Sequence, residues 1–319
     1  VARVLVTRRL TPGGTLPLVE AGHELIGAGA DDTAADVALT PAELVKLAGE
    51  CDGMVCLLTD RIDADVLSAG AAARLKVVAT AAVGYDNIDV ATAHSLGITV
   101  CNTPGVLDDT TADLAFLLIL TATRGTSAAE DDLRRGRWTG WGFNTHLARD
   151  VYGATLGLVG YGRIAQAVAR RATGFGMQIL HHTRRDTCEP GYTASLAELL
   201  ERSDIVSLHV PLTESTRHLI GSAELAVMKP SAVLINTARG PVVDEDALVD
   251  ALESGALYAA GLDVFDGEPS VNLRLLTAPR VTLLPHVGSA TIGTRTRMAQ
   301  LASQGVCDVL AGRTPPNAV

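Results

Sequence analysis

Three stretches of the chain end an apolar run on a side chain that can do chemistry. They are "INTARGPVVDEDAL", "GLDVFDGEP" and "LLPHVGSAT", and the side chains are those of Arg239, Glu268 and His286. Open α/β sheets place their sites at strand ends of this kind. Any one of the three, met alone, is more often structural. Together they have a use. A guanidinium fixes and polarises a 2-oxo acid, with paired hydrogen bonds available to the carboxylate. An imidazole donates a proton to the carbonyl oxygen. A carboxylate beside it orients the ring and keeps it basic enough to hold that proton. No Ser or Cys stands in a nucleophile elbow, and no His/Asp cluster has metal-ligand spacing, so no metal is expected.

A second motif lies upstream. "ATLGLVGYGRIAQAVARR" carries Gly160-x-Gly162-x-x-Ala165 after an apolar strand run, and it opens an Ala-rich amphipathic helix. That strand–turn–helix context is what makes the glycines a dinucleotide signal. Gly160 permits the tight turn, Gly162 lets backbone approach a pyrophosphate, and Ala165 is small enough for helix–strand packing. The helix N-terminus offers free N–H groups and positive dipole to the phosphates. In this arrangement the next strand ordinarily ends on an acid that bonds the ribose of NAD. Here it ends "LHHTRRD", with Thr183, Arg184 and Arg185 ahead of the first acid, Asp186. A hydroxyl and two guanidiniums suit a 2′-phosphate, and Arg163 in the glycine turn adds charge. The expected cofactor is NADP(H), with NAD(H) as the alternative.

These residues need a frame to hold them. From Val1 to Asn102, apolar runs ("VLVT", "GMVCLL", "KVVATAA", "ITVC") alternate with helical patterns such as "TPAELVKLAGE" and "NIDVATAHSLG". The alternation resumes at "GATLGLVG" and continues through "DIVSLHV", "AVLINTA", "YAAGLDV" and "VTLLP". Strand–helix alternation predicts βαβ units and parallel sheets. A long helix, about Leu107 to Arg124, separates the two series, and another, "TIGTRTRMAQLASQGVCDVLAG", ends the chain. The predicted fold class is α/β: two Rossmann-like or flavodoxin-like lobes with parallel sheets, the cofactor lobe inserted into the substrate lobe. Residues 1–102 and 290–319 form the substrate lobe and residues 103–289 the dinucleotide-binding lobe. The last helix crosses back to the first lobe.

Composition narrows the setting. Aromatics are only 3% of a chain that is 47% hydrophobic, so the core is Ala, Val and Leu, the usual filling of covered parallel sheets. A net charge of -10 argues against a nucleic-acid partner. The longest apolar run, "LAFLLIL", falls short of a membrane span. The start, "VARVLVT", reads as a strand and not a signal peptide. Cys51, Cys56, Cys101, Cys188 and Cys307 are scattered and odd in number, which fits reduced thiols in the cytoplasm.

Taken end to end, the chain resembles the D-isomer-specific 2-hydroxyacid dehydrogenases, and within them the glyoxylate/hydroxypyruvate reductases. The resemblance rests on "VGYDNIDV", "NTPGVLDDTTADLAF", "GRWTGW", "GLVGYGRIAQAVARR", "HVPLTESTRHLI", "NTARGPVVDEDAL", "GLDVFDGEP" and "LPHVGSAT". It implies that Arg239, Glu268 and His286 are the catalytic trio. It implies that Val83 and Gly84 offer amides to the substrate carboxylate, with Leu57 lining the pocket. Around the cofactor phosphates it implies Tyr161, Gly162, Arg163, Ile164 and Thr216. Around the nicotinamide and its ribose it implies His209, Val210, Pro211, Thr237, Ala238, Asp263, Gly288 and Ser289. The family is usually dimeric, and "RWTGWGF", with Trp138 and Trp141, fits a dimer arm. The function expected is NADPH-dependent reduction of glyoxylate or hydroxypyruvate, with His286 as proton donor. The alternatives are an NAD-dependent D-3-phosphoglycerate or other D-2-hydroxyacid dehydrogenase and, in another class, a dinucleotide-sensing corepressor-like binding protein.

Overall fold

The structure is a computed structural model that describes residues 1–30 and 36–319. The chain divides into two compact units, residues 1–107 with 289–319 and residues 108–288.

The first unit runs β1 (Arg3–Val6), α1 (Leu16–Glu20), β2 (Glu24–Ile26), α2 (Pro41–Ala48), β3 (Gly53–Cys56), α3 (Ala64–Ala73), β4 (Val77–Thr80), α4 (Val90–Ser95) and β5 (Thr99–Cys101). Its five-stranded sheet is parallel, in the order β2-β1-β3-β4-β5, the flavodoxin-like order. Every residue of β3 and β4 is buried, as expected for strands covered on both faces. One cover is α2 and α3, through Leu44, Val66 and Leu67. The capping box of Thr40 and Glu43 starts α2 just ahead of Pro41. The other cover is the C-terminal helix, which packs Ala302, Val306 and Cys307 against Val4, Val6, Val55 and Val77. The return of the last helix to the first sheet, expected from sequence, is what the structure has. β2 was not expected. It is a three-residue edge strand with Glu24 exposed, too short for a period to show.

The second unit runs α5 (Asp108–Arg124), α6 (Thr126–Arg134), β6 (Thr155–Val159), α7 (Arg163–Thr173), β7 (Gln178–His182), α8 (Leu196–Arg202), β8 (Ile205–Leu208), α9 (Ser222–Val227), β9 (Val233–Asn236), α10 (Glu245–Ser254), β10 (Ala259–Leu262), α11 (Leu273–Thr277) and β11 (Val281–Leu283). The C-terminal helix of the first unit is then α12 (Ile292–Leu310). The six-stranded sheet is parallel, in the order β11-β10-β9-β8-β6-β7. Chain order reverses at β6, with β7 on one side and β8 on the other, which opens a crevice at the carboxyl ends of these strands. Alanines let α5 and α7 lie close to the sheet: Ala112, Ala115, Ala165 and Ala169 share a cluster with Leu156, Leu158 and Ile235. The opposite face is covered by Leu199, Leu225, Leu248 and Leu252 from α8, α9 and α10.

The short helix α6 was also not expected. It buries nothing and is laced by Arg134–Glu130 and Arg135–Asp131 pairs one turn apart. Beyond it, Trp138, Trp141, Phe143 and Leu147 are exposed. Among the described residues no helix is long and apolar enough to cross a membrane.

Candidate active site

Strands β9, β10 and β11 are parallel neighbours, so the loops that follow them leave the sheet at one edge. Those three loops carry Arg239, Glu268 and His286. The first is shaped by Asn236, the buried last residue of β9. Its side-chain amide donates to the Arg239 carbonyl at 2.9 Å, and its carbonyl oxygen accepts the Ala238 N–H at 3.0 Å. Gly240 then lies directly on the loop after β10. A Cβ placed there would stand 1.9 Å from the Phe265 carbonyl carbon and 2.1 Å from its oxygen. Only a residue without a side chain allows the Arg239 loop so near the loop that bears Glu268.

Glu268 is held at both oxygens. Oε1 accepts the Phe265 N–H at 2.9 Å and Oε2 lies 2.7 Å from His286 Nδ1. Burial works to raise its pKa. The bond to His286, the Phe265 N–H and the nearby charges of His286 and Arg239 outweigh burial and hold it below its ordinary value. An ionised carboxylate can only accept, so His286 presents Nδ1–H to it and Nε2 is the nitrogen left for a ligand. His286 has φ +54, a left-handed backbone that costs free energy in any residue but glycine and recurs at functional sites. Asp263 keeps it there. The Asp263 carbonyl accepts the His286 N–H at 2.8 Å. Its carboxylate accepts Val287 N–H on one oxygen and Gly288 N–H on the other, each at 2.8 Å. Burial raises the Asp263 pKa, and those two amides only partly oppose it.

The turn from β6 to α7 has the features a dinucleotide phosphate needs. Gly160 has φ +88, and a Cβ there would lie 2.7 Å from the His209 carbonyl oxygen. The turn is therefore pressed against the chain leaving β8, at the point where strand order reverses. Gly162 is the N-cap of α7, has no side-chain cap and would point a Cβ into open space. The first N–H groups of the helix, Arg163 and Ile164 among them, thus lack an intrahelical partner and have room before them for an anion. Tyr161 is half-buried and Ala165 fully buried. After β9 the Thr237 hydroxyl is buried without a partner, next to Ala238, as a site for a polar ligand group would leave it. These residues fit a nicotinamide dinucleotide.

The other expected contacts are placed as follows. His209 is half-buried, with Nε2 2.9 Å from Ser207 Oγ. Burial pushes its imidazole down to about 4, so the ring is neutral at pH 7. Val210 and Pro211 lead into a turn closed by Thr216, whose hydroxyl donates to the Pro211 carbonyl at 2.7 Å and accepts the Thr213 N–H at 2.8 Å. Thr183 donates to the Arg185 carbonyl, and Arg184 and Arg185 stand exposed. Ser289 falls in the first unit and accepts from Arg295 Nε at 3.1 Å. Also in the first unit, Leu57 follows β3 with its N–H on Asp60 Oδ2 at 2.8 Å. Val83 and Gly84 follow β4, where Asn102 Nδ2 donates to the Val83 carbonyl at 2.8 Å. Asn236 and Gly240 were not foreseen. A polar residue ending the apolar run "AVLIN" was a signal for the first. Nothing in the sequence marked the second, because its contact is with another strand's loop.

Known proteins resemble this chain over most of its length. Residues 116–288 match the family model described as D-isomer specific 2-hydroxyacid dehydrogenase, NAD binding domain. The glyoxylate reductase of Korarchaeum cryptofilum is 46% identical, over 99% of this chain and 95% of that protein. A crystal structure of a Thermus thermophilus protein superposes with a TM-score of 0.92 at 43% identity, covering 99% of each chain. The NADPH-dependent glyoxylate/hydroxypyruvate reductase of Sinorhizobium meliloti, solved with NADP and malonate, superposes with a TM-score of 0.85 at 36% identity. It covers 99% of this chain and 96% of that one.

The Gly240 contact can be tested without substrate. Gly240→Ala should destabilise the fold by about 1–3 kcal/mol, the usual cost of forcing an added methyl into a packed place. Thermal unfolding reads this directly, and a melting temperature equal to wild type would contradict the backbone contact.

Proposed function

The chain belongs to the D-isomer specific 2-hydroxyacid dehydrogenases, and on that premise we propose that it reduces glyoxylate and hydroxypyruvate to the D-2-hydroxy acids, with NADPH preferred over NADH. The observation that carries the reading is His286 Nδ1 at 2.7 Å from Glu268 Oε2, with the Arg239 charge close enough to act on the same carboxylate. A bound reduced nicotinamide supplies a hydride to the carbonyl carbon. The chain's own residues do the rest. Arg239 holds the 2-oxo acid and draws electron density from its carbonyl. His286 gives the Nε2 proton to the carbonyl oxygen as the hydroxyl forms, and Glu268 stabilises the imidazolium beforehand and fixes its ring. Val83 and Gly84 are the proposed amide donors to the substrate carboxylate, and Leu57 is a proposed pocket residue.

Support for the substrate comes from the relatives named glyoxylate reductase. Support for NADPH comes from the exposed Arg184 and Arg185 after β7 and from the Sinorhizobium relative, whose structure holds NADP. The remaining cofactor contacts, Gly160, Thr183, His209 to Pro211, Thr216, Thr237, Ala238, Asp263, Gly288 and Ser289, belong to the same reading. So does a cytoplasmic homodimer, in which a partner subunit would cover the exposed Trp138 and Trp141.

Two experiments test the reading. The first follows reduced-nicotinamide absorbance with a panel of small 2-oxo acids. His286→Ala should lower turnover on the order of 10²–10⁴-fold. Glu268→Gln should remain active with its pH optimum displaced downward, because the imidazolium has lost its carboxylate. Near-normal kinetics of His286→Ala, or no turnover of any 2-oxo acid by the wild type, would sink the assignment. The second compares kcat/KM for NADPH and NADH. Arg184→Ala should cost about tenfold in NADPH use, the solvent-screened worth of one charge-assisted contact. Thr183→Asp with Arg184→Ala should swing preference to NADH, since a carboxylate repels the phosphate and bonds the ribose hydroxyls. A wild type indifferent to the two cofactors, and unchanged by Arg184→Ala, would leave the arginines as a solvated loop.

A further inference from the structure

One buried polar side chain beneath the glycine turn has no part in the chemistry above. His181, in β7, is fully buried. Its ring stacks on that of Tyr161 in the glycine turn, with centroids 3.8 Å apart and planes 16° from parallel. Its Nε2 lies 2.7 Å from Thr187 Oγ1, and Thr187 follows Arg184 and Arg185 in the same loop. The main chain returns to the same place: His181 N–H donates to Gly191 at 2.9 Å and Thr193 N–H donates to His181 at 2.8 Å. Nδ1 is buried with no partner.

The protonation of the ring follows from these contacts. Burial holds the imidazole below its ordinary pKa, against the pull of Glu189 and Asp186, so it is neutral at pH 7 and has one N–H. With that hydrogen on Nε2, the ring donates to Thr187 and only an acceptor is left unpaired. The other tautomer would bury an unpaired donor, the rarer arrangement. Thr187 Oγ1 also lies 3.3 Å from the Glu189 N–H and accepts from it, which fits an acceptor role toward the ring as well. Any flat side chain could stack on Tyr161. Only one with a donor at Nε2 can also hold the loop.

We propose that His181 is a positioning residue for coenzyme selection, tying the loop that bears Arg184 and Arg185 to the glycine turn through Tyr161 and Thr187. This rests on the NADPH reading above. A loop held in place spares the 2′-phosphate contacts the cost of ordering it. An untied loop is ordered only on binding, and NADPH, which uses the loop's charges, loses more than NADH. The loops that carry the proton chemistry follow β9, β10 and β11, away from β7 at the far edge of the sheet, so kcat is unaffected.

The test uses His181→Phe, which keeps the stack and removes the bond, and Thr187→Val, which removes the bond from the loop side and leaves the buried ring alone. The readouts are kcat and KM for NADPH and NADH with glyoxylate, and amide hydrogen exchange over residues 183–190. Each variant should raise the NADPH KM roughly three- to tenfold, the worth of one net hydrogen bond, and speed exchange in the loop. The NADH KM should hold, and the double variant should be no worse than the singles, as for two ends of one contact. Unchanged exchange in both variants, or a KM that rises equally for both coenzymes, overturns the proposal. Arg184→Ala in the same series separates the two ideas. If it raises the NADPH KM while the other variants do not, the tie is wrong and the phosphate reading stands. If it leaves NADPH use unchanged, the phosphate reading fails and takes the coenzyme role of His181 with it.

Discussion

The Asp263 carboxylate accepts two consecutive backbone N–H groups, Val287 and Gly288, and the Asp263 carbonyl accepts a third, that of His286. Three bonds from one residue at the end of β10 thus set the path of the chain leaving β11. Within the loop itself the His286 N–H has only a longer bond, 3.1 Å to the Leu284 carbonyl, to hold a left-handed conformation that an unconstrained histidine avoids. The ring position follows from that backbone, and the 2.7 Å approach to Glu268 follows from the ring position. Glu268 is in turn placed by the Phe265 N–H and by the loop that Gly240 allows to come near. Asp263 carries a cost, since burial raises its pKa. The folded state is therefore relatively disfavoured as pH rises from the ordinary carboxylate pKa through the raised one. The fold bears that cost beside the His286 imidazole.

The second unit divides its work along one sheet edge. The ends of β6 and β8 meet where strand order reverses, and there the uncapped start of α7 faces open space. The loops after β9, β10 and β11 bear Arg239, Glu268 and His286, the residues proposed for the proton chemistry. The division explains why a mixture of polar requirements fits in a lobe whose core is nearly all Ala, Val, Leu and Ile. Most side chains within the strands are small and apolar, with Asn236 at the end of β9 and His181 in β7 among the polar exceptions. Arg239, Glu268 and His286, the residues proposed for the chemistry, sit in loops past the strand ends. Glycine is needed where two such loops touch, as Gly160 does at His209 and Gly240 at Phe265.

Much of this was legible in the sequence because each feature was local. Parallel strands announced themselves as unbroken apolar runs, and the helix after "NTPG" as a long apolar period. The glycine turn could be read from spacing, and Arg239, Glu268 and His286 from their place at the ends of such runs. What was missed depends on contacts between distant parts of the chain. The edge strand β2 is three residues long, and α6 has no apolar face to show. Gly240 has meaning only once β9 and β10 are known to be neighbours. Asp263 was expected beside the nicotinamide by resemblance, but its grip on Val287 and Gly288 required the register of β10 against β11. His181 read as one residue of a strand, and its stack on Tyr161 appears only when β7 is set beside β6.

The most direct measurement is kcat for 2-oxo acid reduction by Asp263→Asn, taken with its melting temperature. Asparagine keeps the shape but offers one acceptor, and its NH2 group would oppose the N–H of Val287 or Gly288. A loss of about tenfold or more in kcat is expected, on the scale of an imidazole displaced by an ångström. The melting temperature should change little, because relief of a buried charge offsets the lost hydrogen bond. A folded variant with wild-type kcat would contradict the claim that Asp263 holds His286 in place.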